Sequence, residues 1–574
     1  MSAVVEVREP GARYLQAVQP AVVREFELLV TAPGGVGRLR EFIMSLALQG
    51  SLLRQDSRDE PASTLLKRIA EERTRLMATG SLRQSRVSTA EDASEPLSSL
   101  PQGWAWSKLA AIGVINPRNH AADDVVASFV QMSSIPVAFN EPHIAETRPW
   151  HDIKSGFTQF AEGDVGVAKI TPCFENGKST VFQNLSNGIG AGTTELHIVR
   201  PLCGVVPRYV LLFLKSPGFL REGEATMTGT AGQKRLPRSF FEDCPFPLPP
   251  LAEQTRIVAR VDELMGLCDA LEAKVRLEAE QHAHLLGTLL GTLTDSSTPE
   301  ELAANWQRVA DHFDLLLDRP EAVAALEQLI LQLAVRGLLV PQVSGDQPAS
   351  LLLEQIRANG VQKKAQGRKV EAVAPAVQLN EVPFEVPESW AWSRFGQVAE
   401  IASNLVSPGA YGSEWQVAPD CIEKGTGRLL VKRTVAEADI KSANHRFQPG
   451  QIIYSKIRPS LSKAVIVDFA GLCSADMYPI NSKISTQYLL LVILSRCFLD
   501  QVAAAENRVK MPKLNQEALT AFLVPVPPLA EQERIVARVA DLRRLCTDLR
   551  QSLSRSSSTQ SALAEALIEY AQAP

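Results

Sequence analysis

The apolar positions follow their most regular pattern in two stretches that each come directly after a pair of prolines. After Pro249 and Pro250, apolar residues recur at alternating intervals of four and three, at Ile257, Val261, Leu264, Cys268, Leu271 and Val275. The second stretch repeats these intervals at Ile535, Val539, Leu542, Cys546, Leu549 and Leu553. This spacing is the heptad seam of a coiled coil, and proline followed by an early glutamate (Glu253 or Glu531) is typical of a helix start. The sequence therefore predicts two long amphipathic helices, suited to pairing with each other or with another chain.

Further helices are predicted upstream of both stretches. Residues 26–70 and 313–357 carry Leu, Ile and Ala at helical spacing. Gly50 and Gly337 stand at the ends of the longest runs, where glycine commonly terminates a helix.

Composition changes sharply after these helices. Residues 71–98 and 358–385 are polar, charged or rich in Ala, Pro and Gln, and they predict linkers. The blocks 100–248 and 386–526 contain short β-branched runs such as GDVGVAKI and GQIIYSKI, interrupted by Gly, Asn and Pro. Such runs predict two globular domains of mixed α+β structure.

The chain contains an internal repeat. FELLVTAP, ending at Pro33, matches FDLLLDRP, ending at Pro320, at a separation of 287 residues, which is half of 574. LPPLAEQTRIVARV (Leu248–Val261) matches VPPLAEQERIVARV (Val526–Val539) at 12 of 14 positions, at a separation of 278. Because the separation changes only across the two α+β blocks, the halves share one frame and differ in one block each.

Composition narrows the class of protein. A chain of 574 residues with 45% hydrophobic and 21% charged residues can bury the cores of several domains, and a net charge of −5 indicates no particular partner. The eight cysteines form no C-x-x-C motif, which favours free thiols in a reducing cytoplasm. Without a signal peptide or an apolar run of about 18 residues, the sequence predicts a soluble cytoplasmic protein with no membrane contact.

Motifs that would indicate catalysis are incomplete. ENGKST (Glu175 to Thr180) ends like a phosphate-binding loop, but Pro172 stands where that loop needs its first glycine. PDCIEK (Pro419 to Lys424) has no Glu-x-Lys nuclease spacing, and His282 and His284 point to different sides of a helix. We therefore expect no catalytic residue, no metal site and no cofactor in this chain.

Basic and amide residues in Gly- and Pro-rich loops are the candidate DNA contacts. In the first block they are Lys169, Lys178, Gln233, Lys234, Arg235 and Arg238. In the second block they are Lys456, Arg458, Lys463, Arg508, Lys510 and Lys513. Lys and Arg contact phosphates, and Arg, Lys and Gln also read base edges. Each residue taken alone is better explained as a solvated surface charge than as a base reader, and the pairing of the clusters in unlike blocks shifts this balance modestly towards DNA binding.

Several motifs occur in an order typical of one family. WAWS opens each block, at Trp104 and at Trp390. GAGTTELHIVRP (Gly190–Pro201) and GQKRLP (Gly232–Pro237) precede the first LPPLAEQ motif, and ILQLAVRGLLVPQ begins at Ile330. Over nearly its whole length the chain resembles the specificity (S) subunit of type I restriction–modification systems. The second block departs from the pattern, because Ser474-Ala475-Asp476 replaces Thr193-Thr194-Glu195 and ENRVKMP replaces AGQKRLP.

The resemblance implies an α+β chain with two tandem target-recognition domains separated by long, antiparallel, coiled-coil-like helices in a pseudo-two-fold repeat. Each domain would read one half of a bipartite, asymmetric site in double-stranded DNA. The helices would set the spacing and dock two methyltransferase (M) subunits, which in turn recruit restriction/translocase (R) subunits. The S chain would be non-catalytic. The eight seam residues expected to form the spacer and bind partners are Ile257, Val261, Leu264, Leu271, Ile535, Val539, Leu542 and Leu549.

Six regions follow from this frame. They are an N-terminal helical region and linker (1–99), a first recognition domain (100–248), a central spacer helix (249–299), a second helical region and linker (300–385), a second recognition domain (386–526) and a C-terminal spacer helix (527–574). Two other functions are compatible with composition alone. One is a scaffold that grips proteins through two repeated modules, and the other is an enzyme, either a nucleotide hydrolase using Lys178 or an unfamiliar methyltransferase.

Overall fold

The computed structural model describes residues 25–79, 99–230, 232–296, 298–365, 377–505 and 513–572. The chain divides into two compact units. The first contains Met1–Glu278 together with Ser557–Pro574, and the second contains Ala279–Ser556.

The first unit surrounds a strand-rich block with helices. Its helices are α1 (Phe26–Thr31), α2 (Gly35–Gln49), α3 (Ala62–Ala78), α4 (Leu109–Ile112), α5 (Trp150–Ile153), α6 (Pro207–Leu214), α7 (Pro217–Thr226), α8 (Arg238–Asp243) and α9 (Leu251–Thr294) as far as residue 278. Its strands are β1 (Ala105–Lys108), β2 (Gly113–Ile115), β3 (Val126–Val130), β4 (Glu146–Pro149), β5 (Thr158–Ala161), β6 (Val165–Ala168), β7 (Ser179–Val181), β8 (Ile189–Gly192), β9 (Leu196–Pro201), β10 (Thr228–Thr230), β11 (Gln233–Arg235) and β12 (Pro245–Leu248).

The second unit repeats this plan. Its helices are the rest of α9, α10 (Pro299–Asp311), α11 (Phe313–Leu316), α12 (Pro320–Arg336), α13 (Ala349–Ala365), α14 (Phe395–Val398), α15 (Thr486–Leu494), α16 (Arg496–Ala505), α17 (Gln516–Ala521) and α18 (Leu529–Gln572) as far as residue 556. Its strands are β13 (Ala391–Arg394), β14 (Ala399–Ile401), β15 (Leu405–Val406), β16 (Trp415–Val417), β17 (Arg433–Thr434), β18 (Asn444–Phe447), β19 (Ile452–Ser455), β20 (Ala464–Ile466), β21 (Gly471–Cys473), β22 (Met477–Ser482) and β23 (Leu523–Val526).

Each block contains an inner and an outer sheet. The inner sheets have the orders β2-β9-β6-β7 and β14-β22-β19-β20. The outer sheets have the orders β4-β3-β8-β5 and β17-β16-β21-β18, the second extended by β15. The entry and exit strands of each block pair antiparallel, β1 with β12 and β13 with β23, and form a neck. The prediction of mixed helix and sheet is confirmed.

The predicted helix ends at the two glycines are also confirmed. Gly50 and Gly337 both adopt the left-handed conformation, with φ of 72° and 77°, and cap α2 and α12. At this φ a side chain would be strained. A Cβ at either position would in addition collide with a proline ring, that of Pro101 or Pro387.

The two long helices each span 44 residues, and most of the predicted seam packs inward. Ile257, Val261 and Cys268 are buried in the core of the first unit, as are their counterparts Ile535, Val539 and Cys546 in the core of the second. Leu264, Leu271, Leu542, Leu549 and Leu553 are partly buried against the same cores. Val275 is the exception, because its side chain is 39% exposed.

The linker prediction is wrong at its start. Residues 71–78 continue α3, and residues 358–365 continue α13. Arg73 gives the reason in α3. Its charge contributed to the linker prediction, but its side chain is buried and donates from Nη1 to the carbonyls of Ala110 and Gly113. The predicted linker segments 80–98 and 366–376 lie outside the described residues.

The glutamate of the repeated LPPLAEQ motif is buried at the start of each long helix. Glu253 accepts hydrogen bonds from Trp104 Nε1 at 3.0 Å and from Gln55 Nε2 at 3.3 Å. Glu531 accepts them from Trp390 Nε1 at 3.0 Å and from Gln342 Nε2 at 2.6 Å. Burial raises the pKa of both carboxyl groups. The first tryptophan of each WAWS motif is thereby tied to a long helix at the start of its block.

The next polar residues of the motif also act within their own unit. Gln254 accepts from the Val206 amide and donates to the Pro249 carbonyl, and Gln532 makes the same pair of bonds with Ser485 and Pro527. Arg256 pairs with Asp59, and Arg534 pairs with Asp346. The motif is repeated because each unit joins its block, its short helices and its long helix in the same way.

A single helix that crosses a bilayer must be both long and apolar. In the described part of the chain, no single helix is both long and apolar enough. One pair bent by 60°, α15 with α16, meets the length and composition test when its two helices are taken together.

Candidate nucleic-acid interface

A two-stranded ribbon projects from the first block. All six residues of β10 and β11 are exposed, and Thr228 pairs with Arg235 and Thr230 with Gln233. Gly229 is required in the ribbon, because a Cβ there would lie 2.6 Å from the Gln233 carbonyl oxygen and its φ is 135°. A ribbon of this kind fits the major groove of B-form DNA. It presents Gln233, Lys234 and Arg235, three of the candidate DNA contacts.

The base of the ribbon is fixed by backbone hydrogen bonds to the segment after β6. The Thr171 amide donates to the Lys234 carbonyl at 3.1 Å, and the Leu236 amide donates to the Lys169 carbonyl at 2.7 Å. On its other side, the Lys169 amide donates to the Glu195 carbonyl at 2.9 Å. The structure therefore brings Lys169 together with the ribbon.

An ion pair orients the ribbon's arginine. Arg235 donates from Nε and Nη2 to the two carboxylate oxygens of Glu195, at 3.0 and 2.8 Å. The hydrogen bond from Arg235 lowers the pKa of Glu195, so the pair is ionised at neutral pH. Because the Arg235 side chain is 48% exposed, the pair fixes its direction more than it stabilises the fold.

The hydrogen bonds of Lys169 with Glu195 and Leu236, together with the Glu195–Arg235 ion pair, form what we call the ribbon junction. The second block builds the same junction from different residues. The Lys456 amide donates to the Asp476 carbonyl at 3.0 Å, and the Leu514 amide donates to the Lys456 carbonyl at 2.8 Å. Lys513 Nζ lies 3.1 Å from Asp476 Oδ1. The Glu195–Arg235 pair is thus replaced by Asp476–Lys513, and the sequence match of AGQKRLP with ENRVKMP is wrong by three residues, because Leu514 takes the place of Leu236. Arg458 is in the segment that follows Lys456, and Arg508 and Lys510 lie outside the described residues.

Three of the candidate side chains are engaged elsewhere within their unit. Lys178 Nζ donates to the Met132 carbonyl at 2.9 Å, and Lys463 Nζ donates to the Pro419 carbonyl at 2.6 Å. Arg238 donates to Glu242 at 2.8 Å, one helical turn away. The first two bonds are equivalent and join the inner sheet of each block to the segment after an outer-sheet strand. A DNA contact by any of these three residues stays a prediction.

A buried polar pair at the end of β6 and β9 opposite Lys169 and Glu195 was missed by sequence reasoning. Asp164 is fully buried and accepts from Arg200 Nε and Nη2, both at 2.8 Å. In the second block the same place is taken by amides, with Gln451 Nε2 donating to Asn481 Oδ1 at 2.8 Å. The repeat frame is the only sequence signal for this match, since the residue types differ.

His197 supports the ribbon from below, and sequence reasoning also missed it. Its Nε2 lies 3.1 Å from the Leu236 carbonyl oxygen, and its ring stacks on Phe241. Desolvation lowers the pKa of His197 to about 4. In the second block the Tyr478 hydroxyl donates to the equivalent Leu514 carbonyl at 3.2 Å.

We expect His197→Tyr to remove an acid sensitivity of the first unit. Because the folded-state pKa lies below the ordinary value of 6.5, stability from the neutral ring is present above about pH 6.5 and is lost as pH falls towards 4. At pH 5 the loss is about 2 kcal/mol relative to neutral pH. The measurement is the free energy of unfolding of this unit at pH 7 and pH 5. His197→Phe, which lacks the hydrogen bond, is the control, and a tyrosine variant as acid-sensitive as the parent would contradict the prediction.

Comparison with known proteins gives consistent matches. Residues 387–555 match the family described as the type I restriction modification DNA specificity domain. The type I restriction enzyme EcoAI specificity subunit of Escherichia coli is 39% identical over 563 residues, which is 94% of each chain. The EcoEI specificity subunit of Escherichia coli is 38% identical over 560 residues, again 94% of each chain. A chain in a solved structure of a type I R-M system is 15% identical, with 83% of this chain and 99% of that chain covered and a TM-score of 0.48.

Proposed function

Because this chain belongs to the specificity subunits of type I restriction enzymes, we propose that each of its two blocks reads one half of a bipartite, asymmetric DNA sequence. The chain's role is DNA sequence recognition. The observation that supports one half-site for each block is the ribbon junction. Both blocks have it at the equivalent place, but its ion pair is Glu195–Arg235 in one block and Asp476–Lys513 in the other. Because the two junctions have equivalent places in their blocks, they suit equivalent positions on a DNA duplex. Because their side chains differ, they suit different base sequences.

We propose that the reactions on DNA are carried out by partner subunits and that this chain is their non-catalytic recognition component. Its membership in the specificity subunits supports this division. All eight cysteines are free, which supports work in the reducing cytoplasm. The long helices α9 and α18 are proposed to form an antiparallel spacer between the recognition domains. At about 1.5 Å per residue each helix is roughly 66 Å long, against about 3.4 Å per base pair of DNA.

Exposed leucines on the long helices are the proposed docking points for two methyltransferase subunits. In the first unit Leu267 is 56% and Leu563 is 48% exposed, and in the second unit Leu545 is 59% and Leu285 is 53% exposed. Leu267 and Leu285 match Leu545 and Leu563 at the separation of 278 that relates the two helices. A pair of apolar positions repeated in each unit suits one partner bound twice. A partner contact by the inward-packed seam residues, such as Ile257 and Ile535, stays a prediction.

We expect the double variant Leu267→Asp/Leu563→Asp to bind one methyltransferase subunit instead of two. The charges would make burial of this surface against a partner unfavourable, while the leucines of the second unit remain intact. The measurement is the mass of the purified complex. Leu277→Asp is the matched control, since Leu277 is 52% exposed on the same helix but its counterpart is Arg555. Full occupancy in the double variant would exclude this docking surface.

Sequence-selective, salt-dependent DNA binding by the full chain with its methyltransferase partner tests the proposed function. A fall in affinity with rising salt is expected, because phosphate contacts release counterions, together with a marked preference for one bipartite site over scrambled duplexes. Binding that is weak, insensitive to salt and equal for all sequences would favour the protein-interaction scaffold instead.

A further inference from the structure

The outer sheet of the first block borders an open depression of about 600 Å³. Aromatic and polar side chains line it, among them Phe129, Gln131, Arg148, Phe157, Thr193 and Thr194. It lies beside the ribbon junction, because Thr194 directly precedes Glu195, the residue that holds Arg235. No motif in the sequence indicated these residues as candidates for DNA contact.

One carboxylate on edge strand β4 holds two base-reading side chains beside this depression. Glu146 accepts from Gln131 Nε2 at 2.9 Å and from Arg148 Nη2 at 3.0 Å. The Arg148 guanidinium also stacks on the Phe129 ring, 3.9 Å from its centroid. Its side chain nevertheless stays 38% exposed. Arg148 is therefore held in one direction while its guanidinium remains accessible to a ligand.

The second block has a similar group at the equivalent place. Strand β17 occupies the edge position that β4 has in the first block, next to β16, the counterpart of β3. Arg433 on β17 donates from Nη2 to both carboxylate oxygens of Asp420, each at 2.9 Å, and from Nε to Gln416 Oε1 at 2.9 Å. The Arg433 side chain is 34% exposed. Each block thus carries an arginine, a glutamine and a carboxylate together, although the residues come from different positions.

The carboxylate distinguishes base reading from phosphate binding. An arginine that binds the DNA backbone gains from unopposed positive charge, whereas Glu146 and Asp420 cancel that charge and repel a phosphate. The arginine's planar fork still matches O6 and N7 of guanine, which carry no net charge. The carboxylate is also an acceptor for a cytosine amino group. Pre-orientation by a second side chain further lowers the entropy cost of reading.

We propose that Arg148 and Arg433 each read one guanine in the major groove, one in each half-site, with Glu146 and Asp420 as positioning residues. This inference rests on the proposed function and assigns the specificity of the outer sheets, next to the ribbon junctions.

The test uses the full chain in complex with its methyltransferase partner and a set of duplexes that carry every single-base change in the recognised site. For Arg148→Ala we expect discrimination at one guanine of one half-site to fall by a factor of about 10 to 100, with the other positions unchanged. Arg433→Ala is expected to do the same in the other half-site. Arg148→Lys keeps the charge but lacks the fork, so it should lose the same discrimination while general affinity is retained. Glu146→Gln should weaken discrimination at that same position.

Arg221→Ala is the matched control, because Arg221 is an exposed arginine on α7 of the same block. Thermal unfolding of each variant shows whether the fold is kept. If an alanine variant is unstable, the proposal is judged on the corresponding lysine variant. An equal loss of affinity for all duplexes would identify a phosphate contact and overturn the proposal, as would unchanged discrimination in both arginine variants. If the unmodified complex showed no sequence preference at all, the proposed function itself would fail, which is a different result.

Discussion

Exchange of residues 100–248 for the equivalent block of another specificity subunit is expected to replace one half of the recognised DNA sequence and leave the other half intact. The neck makes this block exchangeable, because β1 and β12 pair along four residues, from Ala105–Leu248 to Lys108–Pro245. The buried hydroxyl of Tyr209 donates to the Pro247 carbonyl at 2.9 Å and ties the block's own helix to the neck. The hydrophobic clusters of the outer sheet draw all their residues from within the block.

Methylation of a randomised DNA library by the complex with its methyltransferase partner measures this prediction. The matched exchange of residues 386–526, whose neck and Tyr488–Pro525 bond are equivalent, should change the other half only. A chimera in which only residues 120–220 are exchanged should fold poorly. It would keep β2 of this chain but replace β9, the strand with which β2 pairs. A change in both half-sites after the first exchange would mean that the blocks do not read DNA independently.

The helical frame was predictable because its signals are local. Gly50 and Gly337 end helices where the apolar runs end, and the heptad spacing identifies Ile257 and Ile535 as core positions. The same logic misjudged Arg73, whose charge indicated a linker. Its buried hydrogen bonds to carbonyls about 40 residues away became visible only in the fold. The polar residues of LPPLAEQ were equally unpredictable, since their partners, such as Trp104 for Glu253, are distant in sequence.

The candidate interface was predictable in part. Sequence motifs identified Lys169, Lys234 and Arg235, and the structure brings these three together. They did not identify Arg148 or Arg433, because the two blocks differ in length in this region. These two arginines correspond only through the places of their strands in the outer sheets, and not through a sequence match. The strand register shows this correspondence, because Ser128 pairs with Gly190 in the first block in the same way as Trp415 pairs with Gly471 in the second.

That same strand pair gives a second large expected effect: Gly190→Ala should disrupt the outer sheet of the first block, and Gly471→Ala that of the second. A Cβ at Gly190 would lie 2.5 Å from the Phe160 ring and 2.7 Å from the Ser128 carbonyl oxygen. At Gly471 it would collide with the Trp415 carbonyl oxygen and lie 2.8 Å from the Phe447 ring. Both obstacles include backbone of the paired parallel strand, which moves only if the sheet opens. We expect a cost of about 3 kcal/mol or more, the upper end for overpacked cores.

The consequence for function follows from where these strands lie. Gly190 and Gly471 are in β8 and β21, the partners of β3 and β16, whose neighbouring edge strands carry Arg148 and Arg433. Gly190→Ala should therefore abolish selectivity for one half-site while the other is still read, and Gly471→Ala should do the converse. Denaturant unfolding and the single-base duplex set measure both effects. Gly218→Ala, in α7, is the matched control and should be neutral or slightly stabilising, because the added Cβ would have no heavy atom within 4 Å apart from its chain neighbours and the backbone of its own helix. Normal stability and selectivity in Gly190→Ala would show that β3 and β8 separate readily, and the outer sheet would then be too compliant to hold Arg148 against a base edge.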